Sequence, residues 1–322
     1  MKNLKRTIQQ ALQKSALGRV LLKRAFDWHF LKIAQKAGLT MGIKVSLAGE
    51  RLIIQKGSRR LMVSSKHVIY AYNLVLDFEV LFAAVEPELS ADGSLVDYST
   101  PRWHQLRGSG KRVFLTNFSE GESLNSLYCQ LARIGPGDVV LDLGANCGLA
   151  ALSFSTAVGS SGLVIALEPD PLNYDALLEN LSAHHVENVR PLCAGIWSQT
   201  GHVAFDADGS MGATVVNQPG QLPRGQITSI PVVSLADLVK QFALPRVDFV
   251  KMDIEGAEFD VILGATEFLD RYRARWVIEI HDRHRLGQLT AAFQAKGYET
   301  EIVSQSESHD YPLLVAVPGP VP

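Results

Sequence analysis

The stretch VVLDLGANCGLA, residues 139–150, decides how the rest of the chain is read. Val139, Val140, Leu141 and Leu143 form a short apolar run with β-branched residues, set directly after the breaker Gly135-Pro136-Gly137. Such a run predicts a buried strand. After Gly148, the residues Leu149, Ala150, Ala151, Leu152 and Phe154 continue at helical spacing. A strand that enters a glycine turn and leaves it as a helix is the opening unit of a nucleotide-binding α/β sheet.

A dinucleotide site asks for glycines at three spaced positions. The frame from Gly144 supplies Gly144, Asn146 and Leu149, so two of the three fail. The 20 residues from Gly148 to Glu168 suit a ribose-binding acid in either class of protein. Asp142 discriminates between them, because it stands where a pyrophosphate would be repelled by a carboxylate. S-adenosylmethionine has no phosphate and brings an ammonium and a sulfonium, which a carboxylate attracts. The charge favours a methyl donor over a nicotinamide cofactor.

A chain of 322 residues with 47% hydrophobic residues can bury a full core and leaves room for an appended region. Cys129, Cys147 and Cys193 are odd in number and lack paired spacing, so neither a disulfide framework nor a zinc cluster is supported, and a reducing cytoplasm fits best. Nowhere do about 18 apolar residues run together, so no membrane span is expected. Net charge is only -2, yet residues 1–40 hold nine Lys or Arg against the single acid Asp27. Leu4, Ile8, Leu12, Ala16 and Leu17 fall on one helical face of that segment. It is read as a basic amphipathic arm that docks on its own domain, on a second subunit or at the surface of an anionic membrane. The catalytic half carries no basic cluster, so nucleic acid is not expected as a partner.

Residues 41–118 alternate short apolar runs with turn residues, in IKVSLAG, RLIIQKG, RLMVSS, HVIYAYNLV and KRVFLTNF, and are read as an accessory region of antiparallel strands. A helix is expected from about Ser123 to Ile134. Beyond residue 138, strands and helices alternate: GLVIALEP ends at Glu168, a helix runs from Pro171 to Ala183, and NVRPLC, RVDFVKMDIEG and ARWVIEIH make three further strands. YETEIV and YPLLVAV allow a closing antiparallel pair. The pattern predicts an α/β fold with a doubly wound, mostly parallel, seven-stranded Rossmann-like sheet over residues 119–322, whose ligand lies at the carboxyl ends of the strands.

Four stretches, VVLDLGANCGL, VIALEPDPLNYDALLENL, FVKMDIEGAEFDVILGA and VIEIH, resemble those of the FkbM family of S-adenosylmethionine-dependent methyltransferases, in the same order and at similar spacing. The resemblance covers about residues 120–285 and implies a class I methyltransferase fold that methylates hydroxyl groups of sugars or natural products. It sets Gly144 and Gly148 against the methionine and ribose parts of the cofactor.

Asn146 replaces a glycine, either to hold a positive φ or to offer its amide to the ligand. Glu168 is expected to clamp the two ribose hydroxyls, with Asp170 as the better cap for the helix at Pro171, and the adenine edge is expected near Cys193 and Ala194. Asp253, Glu255 and Glu258 crowd one strand end and repel unless they face apart or meet a cation. Asp253 is assigned to the methyl-transfer site, with Lys251 as a partner for one of the acids. His281 or Glu279 is read as the general base that takes the hydroxyl proton. No metal is assigned, for want of a strong ligand spacing, although Asp253 and His281 about a divalent cation form an alternative. Residues 206–226, rich in glycine and polar residues, are read as a lid, an acceptor loop or a surface excursion. The chain is thus expected to be a cytoplasmic O-methyltransferase of a small-molecule or glycan hydroxyl, peripheral at a membrane if the arm binds one. An amine acceptor and a non-catalytic cofactor-binding protein are the alternatives.

Overall fold

In the computed structural model, which describes residues 16–119, 122–207, 214–215, 226–304 and 311–320, the chain divides into two units after Ser119. The first unit opens with helix α1 (Ala16–Met41), followed by β1 (Ile43–Ala48), β2 (Arg51–Lys56) and β3 (Arg59–Ser64). Helices α2 (Ala71–Leu76) and α3 (Phe78–Ala83) lead to β4 (Glu88–Ser90), β5 (Gly93–Tyr98) and the hairpin of β6 (Arg102–Gln105) with β7 (Arg112–Leu115). The main sheet of this unit runs β1-β2-β3-β5-β4. Leu52, Ile54, Leu61 and Val63 alternate onto its buried face.

Helix α1 packs on β1 within this unit, where Gln35 Nε2 donates to the Val45 carbonyl at 3.0 Å and Ala34 and Gly38 are buried. The expected arm and accessory region therefore share one unit. Leu4, Ile8 and Leu12 of the expected apolar face lie outside the described residues, and Phe26, Trp28 and Leu39 farther along are exposed. No described helix is long and apolar enough to cross a membrane.

Two expectations for this region are corrected. HVIYAYNLV is not a strand: Ser65–Tyr70 form a 3-10 turn that continues into α2. Buried Val68, Ala71, Leu74 and Val75, with Phe78 and Leu81 of α3, follow spacings of three and four, the helical period and not the period of two. Nor is the sheet wholly antiparallel, because β3 and β5 pair in parallel across the crossover that these helices make.

The second unit begins with α4 (Ser123–Ala132) and then builds β8 (Val139–Leu143), α5 (Leu149–Val158), β9 (Leu163–Leu167), α6 (Pro171–Ala183) and β10 (Val189–Leu192). Strands β11 (Gly195–Ile196), β12 (Gly201–Ala207), β13 (Thr214–Val215) and β14 (Gln226–Val233) form a separate sheet in the order β11-β14-β12-β13. This small sheet was hidden in the sequence by the 206–226 stretch, most of which lies outside the described residues. Helix α7 (Leu235–Gln241), β15 (Phe249–Met252), α8 (Glu258–Gly264), α9 (Thr266–Tyr272), β16 (Arg275–Glu279), α10 (Leu286–Gln294), β17 (Tyr298–Val303) and β18 (Leu313–Pro318) complete the chain.

The seven-stranded sheet runs β10-β9-β8-β15-β16-β18-β17, with β18 antiparallel to both neighbours and the rest parallel. The chain order reverses at β8, whose neighbours are β9 and β15, and this switch point opens a crevice at the carboxyl ends. Leu141, Leu143, Val250, Met252, Trp276 and Ile278 share one face of the sheet and its main apolar core. Asp142 and Lys251 are paired in register and point to the other face.

Candidate active site

Each polar residue at the crevice is set by the strand that ends there. Gly144 and Gly148 bound the turn after β8 with φ of +81° and +85°. A Cβ on Gly144 would stand 1.8 Å from the Asp253 carbonyl, and one on Gly148 would stand 2.4 Å from Leu177 Cδ1. The two glycines thus let this turn close against the β15 loop and against α6. Asn146 between them holds φ of +50°, as its small polar side chain allows, and its Oδ1 accepts the Cys147 N–H at 2.6 Å. Asn180 Nδ2 donates to the Cys147 carbonyl at 2.7 Å and fixes the turn to α6. The Cys147 thiol is buried and pushed up to about 12 by that burial, so it is no nucleophile at neutral pH.

Glu168 follows β9 and is buried. Its Oε2 accepts the Asn146 N–H at 2.7 Å and its Oε1 accepts the Asp170 N–H at 2.9 Å. Burial raises the carboxyl to about 7 in spite of these two bonds. Asp170 caps α6 through Oδ1, which accepts the Leu172 N–H at 2.9 Å, and this frees Glu168 from the capping task. Ala194, just past β10, is buried.

Asp142 is fully buried, and its charge meets Lys251 first. Lys251 Nζ lies 3.5 Å from Asp142 Oδ1 and 3.6 Å from Asp253 Oδ2, donates to the Gly144 carbonyl at 2.6 Å and sits 5.8 Å above the Tyr128 ring. Burial raises the Asp142 carboxyl against the pull of Lys251. Burial also works against the Lys251 charge, but Asp142, Asp253 and Glu279 outweigh it and hold the ammonium above its usual range. Lys251 is therefore no solvated strand-edge charge.

On the far side of the turn, the acids converge on one imidazole. His281 Nδ1 lies 2.8 Å from Glu258 Oε1, while Nε2 lies 3.7 Å from Asp253 Oδ1, 3.6 Å from Glu255 Oε1 and 3.7 Å from Glu279 Oε1. Its side chain is 8% exposed. Burial opposes a charge there, yet Glu255, Glu258 and Asp253 prevail and lift His281 to about 10. An imidazole that keeps its proton donates hydrogen bonds from both nitrogens. Glu255 adopts φ of +57°, a costly conformation for a residue with a Cβ. His284 stands apart from the group, its backbone N–H donating to Asp282 Oδ1 at 3.0 Å in a local turn.

Several known proteins are similar to this chain. The Methyltransferase FkbM domain matches residues 142–300. A hexuronic acid methyltransferase, AglP, of Haloferax volcanii is 30% identical over 176 residues, which cover 54% of this chain and 69% of that protein. The chain belongs to the FkbM methyltransferase family. The 31-O-demethyl-FK506 methyltransferase FkbM of Streptomyces tacrolimicus is 29% identical over 195 residues, 52% of this chain and 74% of its own. The 2-O-methyltransferase NoeI of Sinorhizobium fredii is 26% identical over 152 residues, 43% of this chain and 61% of its own.

As an FkbM methyltransferase, the protein uses S-adenosylmethionine, and the turn's chemistry fits that donor. Asp142 and Glu168 flank the turn, neither Asp142 oxygen has a hydrogen-bond partner among the described residues, and the buried Lys251 is taken up by Gly144, Asp142 and Asp253. This charge pattern suits a cationic nucleoside without phosphate.

The structure brings Asp253, Glu279 and His281 together and adds residues that sequence reading missed. Glu258 holds His281, and Tyr128, 151 positions away in α4, donates its hydroxyl to Glu279 Oε2 at 3.3 Å. No local pattern announces Tyr128. Lys251 had a signal: a lysine in the otherwise apolar strand FVKM must meet acids when both faces of the sheet are covered.

Proposed function

We propose that this FkbM methyltransferase transfers the methyl group of S-adenosylmethionine to a hydroxyl oxygen of a sugar, glycan or related natural product. The observation that carries the proposal is the close approach of two groups of residues. The Gly144 turn, which receives the donor, abuts the Asp253 backbone, and Asp253 with Glu279 and His281 forms the polar group beside it. Support for oxygen comes from the relatives, whose names place methyl groups on a hexuronic acid, on a 31-O position and on a 2-O position.

In this mechanism, each oxygen of Glu168 keeps a lone pair beyond the backbone bond it accepts, and these take the two ribose hydroxyls. Gly144, Asn146 and Gly148 shape the turn around the donor, and Ala194 borders the base. Asp142 acts by its field and by anchoring Lys251. S-adenosylmethionine supplies, when bound, an electrophilic methyl group on a sulfonium that leaves as a thioether. Asp253, whose side chain is 29% exposed, accepts the hydrogen of the acceptor hydroxyl, and Glu279 and His281 orient that group. The protein's task is to hold oxygen, methyl carbon and sulfur in line and to keep water away.

The test offers the purified chain methyl-labelled S-adenosylmethionine with a hexuronic acid, a neutral hexoside and an amino sugar. The expected product carries the label on oxygen, assigned by mass spectrometry and NMR. Label on the amino nitrogen alone overturns the oxygen assignment, and S-adenosylhomocysteine release with none of the hydroxylated acceptors overturns the substrate class.

A further inference from the structure

Asp253, Glu279 and His281 each turn one polar atom inward and have the other held from outside. His281 Nδ1 is held by Glu258 Oε1 at 2.8 Å, and Nε2 faces in. Glu279 Oε2 accepts from Tyr128 at 3.3 Å, and Oε1 faces in. Asp253 Oδ2 lies 3.6 Å from Lys251 Nζ, and Oδ1 faces in. One ligand atom of each residue lies within 4.8 Å of the other two, and Nε2 stands 3.7 Å from Asp253 Oδ1 and from Glu279 Oε1, too far for a hydrogen bond.

We propose that these three inward atoms are the protein ligands of a divalent cation of the Mn2+ or Mg2+ class, which displaces the proton from His281 Nε2 on binding and receives the acceptor hydroxyl at a remaining position. The site deepens the proposed function and rests on it for the ion's role, though not for its binding.

Distances, charge and outer support agree with such an ion. Ligand atoms about 2.1 Å from an octahedral cation stand about 3 Å apart when adjacent and about 4 Å apart when opposite. The observed 3.7 Å separations lie between the two, so the Asp253 and Glu279 oxygens have to close on His281 Nε2 by about 0.7 Å to take adjacent positions. Four carboxylates, of Asp253, Glu255, Glu258 and Glu279, face one imidazole here, and Lys251, 3.6 Å from Asp253, is shared with a fifth, Asp142. So many acids are stable together only about positive charge. A ligating histidine characteristically gives its second N–H to a carboxylate, the role that Glu258 fills, and Glu258 is itself held by the Gly256 N–H at 3.0 Å. One imidazole with two carboxylates suits an octahedral ion that keeps open positions, and a hydroxyl bound there becomes more acidic. The ion thereby makes the hydroxyl more acidic, and its proton still passes to the Asp253 carboxylate.

The full chain, treated with chelator and desalted, is titrated with Mn2+ while EPR reads the free aqueous ion. The expected result is one bound Mn2+ per chain, displaced by Mg2+ in excess, with affinity weakened at least about tenfold in Asp253→Asn, in Glu279→Gln and, from outside the ligand set, in Glu258→Gln. Calorimetry with S-adenosylmethionine on the same variants verifies that they fold. Absence of binding at millimolar Mn2+, or equal binding by the Asp253→Asn/Glu279→Gln pair, overturns the site. Because Mn2+ binding is read without an acceptor, its loss is distinguishable from failure of the oxygen assignment, which the labelled products decide. Turnover on a competent acceptor is expected to fall at least about tenfold in chelator and to recover with Mn2+. Undiminished turnover in chelator overturns the ion's role.

Discussion

Lys251 Nζ stands 3.5 Å from Asp142 Oδ1, the two residues facing one another in register on adjacent parallel strands. Both are buried, so neither charge has water to fall back on. Breaking a buried pair from one side costs roughly 3–5 kcal/mol, whereas replacing both partners with apolar residues is often neutral. Asp142→Ala is therefore expected to lose about 3 kcal/mol, the low end because Asp253 remains beside Lys251. Asp142→Leu combined with Lys251→Met is expected to recover most of that loss. The check is a urea transition, read as a change of midpoint at constant slope. The double variant should remain poor in S-adenosylmethionine binding by calorimetry. If it binds like the parent, Asp142 serves only the fold.

Glu168 links the cofactor to pH. Its carboxyl, raised to about 7 by burial, is substantially protonated near neutrality, and ribose hydroxyls donate to the ionised form. Affinity for S-adenosylmethionine should thus rise with pH through 7, by up to about tenfold per unit below it, with proton release on binding. The sign for folding is opposite. A carboxyl raised above its unfolded value adds stability fully present below about 4.5 and lost as pH rises through 7. Calorimetry at pH 6, 7 and 8 in buffers of different ionisation enthalpy measures the released protons. In Glu168→Gln both dependences should vanish, and a parental pH slope there would assign the titration to another group.

Gly144 and Gly148 share nearly the same φ, +81° and +85°, so alanine pays a similar backbone cost of about 1–2 kcal/mol at each. What differs is the neighbour. The added Cβ meets the Asp253 carbonyl at 1.8 Å in one case and the flexible tip of Leu177 at 2.4 Å in the other. A side-chain tip can rotate, but a strand-end carbonyl can retreat only with the loop that carries Asp253. Gly144→Ala should therefore be the more destabilising in a thermal transition, and should lose turnover beyond its loss of cofactor affinity. Equal effects would mean that φ alone governs both positions.

The parallel sheet was legible in the sequence because fully buried strands are continuous apolar runs, and VVLDL, LVIAL and RWVIE each stop at a polar residue or glycine. Alternation of those runs with helical spacing then fixed their order. The acid and histidine group was legible in part, since Asp253, Glu279 and His281 sit at strand ends by position. Their partners were not, because Tyr128 approaches Glu279 across 151 residues and Glu258 reaches His281 across 23. HVIYAYNLV misled because its many β-branched and aromatic residues suggest a strand, whereas burial at a spacing of three and four made it helical. The charge at Asp142 was judged against the cofactor alone, without the buried lysine that answers it.

Glu258 touches no reacting atom in the proposed mechanism, yet it sets the imidazole through the 2.8 Å contact with His281 Nδ1. It is a positioning residue, and its loss should appear in turnover more than in binding. Glu258→Gln keeps an oxygen that can accept the Nδ1 hydrogen but gives up the charge, and such changes typically cost roughly 10- to 100-fold in activity. Glu258→Ala removes the contact and leaves the ring free to rotate beside Tyr311, whose centroid lies 4.6 Å away. The expected order of kcat is parent, then Gln, then Ala, with affinity for S-adenosylmethionine unchanged across the three because the Glu168 side of the crevice is untouched. Steady-state kinetics with both substrates varied, alongside calorimetry with the donor alone, separates the two sides. If donor affinity falls in step with kcat, Glu258 supports the fold of the β15 loop and does not set the imidazole.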